Sequence, residues 1–243
     1  MQWRRQRQVL WLATGAALVI AWTIVALGHG PGAFSQRFLS PHHGAGGASF
    51  ALAFASWITM MVAMMLPLTI PWVSVVAELA DRRCSTGGLG PAAAFLAGVC
   101  TAWAAFAVLG AVAQQGLGRA LPLGITGSGR HAAAAAIILA GAYQLSPLRA
   151  ACLRHCRSPL GFFLSRWRDG PMGALELGLR HGAFCLGCCW ALMALCLVLG
   201  TMNAAWMGLL TLVICLEQLA RPGVWVGRAL GGGLVAAGIG LLV

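Results

Sequence analysis

Charge is scarce in this sequence. Asp, Glu, Lys and Arg make up 9% of its 243 residues, where a soluble domain carries about 25%. Lysine is absent altogether, and there are five acidic residues: Glu78, Asp81, Asp169, Glu176 and Glu217. None lies deep in an apolar run. Buried carboxylates are the usual mark of proton-coupled transport and of di-iron sites, and calcium or magnesium needs several oxygen ligands. The shortage of acids argues against all of these. Also missing are a P-loop, a dinucleotide-binding fingerprint, a G-x-S-x-G elbow and any repeat of fixed period. No catalytic constellation stands out.

Apolar residues are abundant instead. The chain is 60% hydrophobic with a mean hydropathy of +0.83, more apolar surface than one soluble core can hide. The composition predicts an all-α, polytopic transmembrane helical bundle forming a single integral membrane domain over 1–243. Runs approaching the roughly 20 apolar residues that span a bilayer fall at about 9–27, 50–76, 91–113, 131–145, 173–199, 203–219 and 224–243. The fourth is short, and Pro67 and Pro71 interrupt the second, where a kink is expected.

The net charge of +11 would suggest nucleic acid on a soluble protein, but no basic stripe with interleaved aromatics is present. The arginines lie between the apolar runs. Arg4, Arg5, Arg7, Arg82, Arg83, Arg149, Arg154, Arg157, Arg166, Arg168, Arg180, Arg221 and Arg228 share one side of a seven-span topology; the other side holds Arg37, Arg119 and Arg130. The positive-inside bias then places the N-terminus in the cytoplasm, with a bacterial inner membrane as the expected location. The first run reads as a retained anchor rather than a cleaved signal peptide.

Sulfur is the other abundance, with nine cysteines and nine methionines. In the fifth run, His181, Cys185, Cys188, Cys189 and Cys196 fall within an arc of roughly 100° on a helical wheel. Cys185 and Cys188 form C-x-x-C, which suits metal binding or thiol redox chemistry. Cys152 and Cys156 are four apart and share a helical face. Both pairs sit on the predicted reducing side, so a structural disulfide is not expected. Cys84, Cys100 and Cys215 stand alone and read as packing residues. The second run supplies "SWITMMVAMMLPLTIP", with Met60, Met61 and Met64 on one face and Met65 further round. Thioethers and thiolates together select Cu(I) over harder ions, although methionine also serves as a flexible core filler. His42 and His43, adjacent on an outer loop, could gather metal at the surface.

Three motifs, "SWITMMVAMMLPLTIP", "YQLSPLRAACLRHCRSP" and "GLRHGAFCLGCCWALMALCLVLGTMNAAWM", make the chain resemble, from about Trp57 to Met207, an uncharacterised bacterial family of predicted metal-binding integral membrane proteins. The resemblance implies a helical membrane protein with a metal site. It maps that site onto Met60, Met61, Met64, Met65, Cys152, Cys156, His181, Cys185, Cys188 and Cys189.

Three functions compete. The first is a membrane protein handling a copper ion as Cu(I), in transport or in delivery to a cuproenzyme. Met60 and Met64 would offer a weak site, Cys185, Cys188 and Cys189 a tighter one, and Cys152 with Cys156 would receive the metal inside. The second is a membrane thiol-disulfide oxidoreductase using the two cysteine pairs. The third is a structural or assembly subunit of a larger membrane complex, rich in the small residues that suit helix contacts. The expected partners are the lipid bilayer and membrane proteins or a metallochaperone, without nucleic acid.

Overall fold

The computed structural model describes residues 2–27, 50–83, 88–120, 129–157, 168, 170–196, 204–220 and 223–243. Among them the regular elements are all helices: α1 (Gln2–Leu27), α2 (Phe50–Arg83), α3 (Leu89–Ala120), α4 (Arg130–Leu145), α5 (Pro147–Arg157), α6 (Pro171–Ala194), α7 (Ala204–Leu219) and α8 (Gly223–Gly240). The all-helical expectation is met. Each of the seven expected apolar segments contains a helix. Among the described residues, Phe50–Arg82, Leu89–Gly116, Pro171–Ala194 and Gly223–Gly240 are by themselves long and apolar enough to cross a membrane. Arg130–Leu145 and Pro147–Arg157 qualify as a pair, bent by 59°, while Leu12–Ala26 and Trp206–Gln218 are shorter apolar stretches. His42, His43 and Cys84 lie outside the described residues.

Two features depart from the sequence expectation. Residues 147–157, expected as part of an inner loop, form α5. The cause is local chemistry: Ser146 caps the helix, its Oγ accepting from the Arg149 N–H at 3.2 Å, and Pro147 occupies the first helical position, where a missing N–H costs nothing. The second apolar run passes Pro67 and Pro71 within one helix, as expected, but extends beyond residue 76 to Arg83. Pro67 cannot donate to the carbonyl of Ala63 one turn earlier. The indole Nε1 of Trp22 donates to that carbonyl instead, at 3.1 Å. A neighbouring helix thus re-satisfies the freed acceptor, as apolar surroundings require, and α1 is pinned to α2.

α2 runs through the interior of the bundle, with Trp57, Met60, Met61, Met64, Met65, Trp72 and Val76 all buried. The outward surfaces are apolar: Leu12, Leu109, Leu139 and Leu212 are each more than half exposed. A surface of that kind is unusual in water and ordinary against lipid.

Among the described residues the most extensive helix–helix packing is that of α3 with α6. Small residues let their backbones touch, as in membrane helix packing generally. A Cβ on Gly178 would overlap the Phe95 carbonyl, and one on Gly98 would overlap that of Leu175. Gly178→Ala is therefore expected to destabilise the protein by about 1–3 kcal/mol. Gly232→Ala on α8, where an added Cβ meets nothing within 4 Å, should be neutral or stabilising, because alanine is the better helix former. Thermal unfolding of the two variants in detergent checks the contrast.

Candidate metal centre

The predicted arc on α6 is an inward stripe. His181, Cys185, Cys188, Cys189 and Cys196 are all buried, while Arg180, Ala183 and Trp190 on the same stretch are exposed. Helical periodicity alone put the thiols on the core side.

Across from this stripe, α2 presents Met65. Its Sδ lies 3.7 Å from the Cys185 Sγ and 3.6 Å from the Cys189 Sγ. Three sulfurs held about 2.3 Å from one metal in a plane would sit about 4 Å apart, close to both separations from Met65. Among the described residues no three His, Cys, Asp or Glu side chains converge as a metal site; the third donor here is a thioether. Met60, Met61 and Met64 are equally buried in the same core, but among the described contacts it is Met65 that meets the thiols.

A second sulfur pair lies on the neighbouring face of α6. The Cys188 Sγ is 4.0 Å from the Cys156 Sγ on α5, and the Gln218 Nε2 on α7 points at the same Cys188 sulfur from 3.7 Å. Cys152, one turn before Cys156, is half-buried against Gly187, where an added Cβ would stand 2.8 Å from its Sγ. The hydroxyl of Tyr143 donates to the Gly187 carbonyl. The motifs on α2, α5 and α6 therefore meet around α6. Cys188 and Cys189 also donate to the Cys185 carbonyl, at 3.0 and 2.9 Å, which gives the thiols defined directions in the resting protein.

His181 is brought near the stripe but into an aromatic setting. Its ring centroid is 4.0 Å from that of Trp72 and 5.7 Å from that of Phe95. His155 stacks on Phe184 at the edge of the bundle. Cys100 is exposed and Cys215 half-buried, in keeping with packing rather than ligation.

Sequence reasoning did not place the polar support of this centre. Arg149 on α5 is buried and pairs with Glu217 on α7, at side-chain exposures of 4% and 3%. Its Nε donates to the Cys188 carbonyl at 3.3 Å and its Nη1 to the Gln144 carbonyl at 3.4 Å. Arg157 closes the end of α7 by donating to the carbonyls of Glu217 at 3.2 Å and Ala220 at 2.7 Å. Glu78 pairs with Arg82 and Glu176 with Arg180 on the exposed surface, whereas the Glu217 pair is buried. The readable signal was the adjacent polar pair Glu217 and Gln218 in an otherwise apolar helix.

Neither a curated protein nor a solved structure matches the chain. A family model does, over residues 54–241, which takes in every sulfur ligand candidate and the helices that carry them. By that match the chain belongs to the PpoB2 copper chaperone family.

Proposed function

We propose that this protein is an integral membrane copper chaperone that holds Cu(I) at Met65, Cys185 and Cys189 and passes it to a cuproenzyme. The observation that carries the reading is the approach of the Met65 thioether to two cysteine thiols inside the buried core. Thiolate and thioether donors suit Cu(I) and discriminate against harder ions. Family membership supports copper as the cargo. Cys188 and Cys156, 4.0 Å apart on the adjoining face, form a second sulfur station toward α5, with Cys152 next in line. His181, Met60, Met61 and Met64 border this path within the same buried stripe and helix.

In this reading all seven apolar segments cross a bacterial inner membrane with the N-terminus in the cytoplasm, the arginine-rich ends of the helices facing inward. The recipient is a membrane-associated cuproenzyme or a metallochaperone that meets the α5 side.

Protein purified from native membranes without added metal should contain copper, measured by elemental analysis. Copper absent from such protein, or zinc in its place, overturns the proposal. Binding also displaces the thiol protons. Titration with Cu(I) should release about two protons per ion, and affinity should weaken as the pH falls. A pH-independent affinity would point to thioether ligation alone.

A second reading draws on the 4.0 Å separation of Cys156 and Cys188. As a dithiol they would reduce a partner's disulfide, forming their own S–S bond while the partner's two sulfurs leave as thiols. Thiol counting after exposure to an oxidised dithiol reagent separates the readings: loss of the two thiols as a pair favours exchange, and an unchanged count removes it.

A further inference from the structure

Next to the sulfur cluster, with which it shares Arg149, a cavity of about 400 Å³ lies between α4, α5 and α8, within the size range of small-ligand sites. Arg149, Arg154, Arg157 and Arg228 all line it. Arg149 is bound to Glu217. Among the described residues no acidic side chain pairs with Arg154 or Arg228. Gln144, which also lines the cavity, is 3% exposed, and neither its amide nitrogen nor its amide oxygen has a hydrogen-bond partner. A buried amide of this kind calls for a polar occupant.

The rim says what kind of occupant. Leu145, Leu148 and Val224 are exposed beside the arginines, and Arg228 lies 5.3 Å above the ring of the largely exposed Trp225. Tryptophan and arginine beside bare apolar side chains suit the boundary between headgroups and acyl chains. Basic pockets between membrane helices recognise anionic headgroups.

We propose that this cavity binds the phosphodiester headgroup of an anionic phospholipid. Arg154 and Arg228 hold the phosphate, Gln144 takes a headgroup hydroxyl, and the acyl chains run over Leu145, Leu148 and Val224. Nothing in this site depends on copper.

The test uses the full chain in nanodiscs of equal parts phosphatidylglycerol and phosphatidylcholine, re-extracted in mild detergent, with retained lipid identified by native mass spectrometry. The wild-type protein should keep phosphatidylglycerol in preference to phosphatidylcholine. Arg154→Gln with Arg228→Gln should lower that retention by about tenfold or more, since each arginine near an anionic headgroup contributes roughly a fivefold preference. Both side chains are exposed, and unchanged circular dichroism verifies the fold. Arg82→Gln with Arg180→Gln, which removes two arginines elsewhere on the surface, should leave retention intact. The proposal is overturned if wild type keeps no phosphatidylglycerol, if the Arg154 and Arg228 variant keeps as much as wild type, or if the control pair loses as much. Complete displacement by an equal concentration of inorganic phosphate would mark a plain anion site and overturn the lipid assignment.

Discussion

Replacing Cys185 and Cys189 together with serine should weaken Cu(I) binding by well over about 100-fold. Loss of a group that merely orients a ligand already costs about 10–100-fold, and here two of the three donors disappear. The fold should survive the change. Serine is close to cysteine in size, and its hydroxyl at position 189 can donate to the Cys185 carbonyl as the thiol does from 2.9 Å. Met65→Leu isolates the third donor. It nearly conserves volume and should cost under about 1.5 kcal/mol of stability, while Cu(I) affinity falls because the thioether is gone. The same substitution at Met61, equally buried, should leave affinity near wild type. Competition against a chromogenic Cu(I) chelator measures all three variants. Equal losses at Met61 and Met65 would mean that the methionines act through packing rather than ligation.

The largest stability effect is expected at the buried ion pair. Arg149→Met leaves Glu217 in the interior without its cation, and breaking a buried pair from one side costs about 3–5 kcal/mol. The variant also removes the donors to the Cys188 and Gln144 carbonyls. Arg149→Met combined with Glu217→Leu should recover most of the loss, because replacing a whole buried pair with apolar residues is often neutral. Thermal unfolding in detergent reads both. If the double variant is no more stable than the single, the helices depend on the carbonyl hydrogen bonds of Arg149 rather than on charge neutralisation.

Much of this centre was legible in one dimension because helical periodicity is a local property. The spacing of His181, Cys185, Cys188, Cys189 and Cys196 fixes a common face whatever the bundle does, and that face is the buried one. The apolar runs were legible for the same reason. The choice among the methionines was not. Met60, Met61 and Met64 share a face by spacing, yet it is Met65, further round, that meets the α6 thiols, because that contact depends on how α2 passes α6. The partner that makes Pro67 tolerable within α2, Trp22, is 41 residues away from Ala63 in sequence. α5 was hidden by its arginines. Read as charge between spans, they suggested a loop, although Ser146 and Pro147 carried a readable helix-start signal. Arg149 then turns inward to Glu217, a pairing across 68 residues that no local pattern announces.

X-ray absorption at the copper edge, on Cu(I)-loaded protein and on the Cys185→Ser, Cys189→Ser variant, tests the sulfur centre most directly. The wild-type spectrum should show Cu(I) surrounded by three sulfurs at about 2.3 Å, the length of a metal–thiolate bond, and the variant should lose that shell. Nitrogen scattering that dominates the first shell, or a sulfur shell identical in the variant, would contradict a centre built from Met65, Cys185 and Cys189.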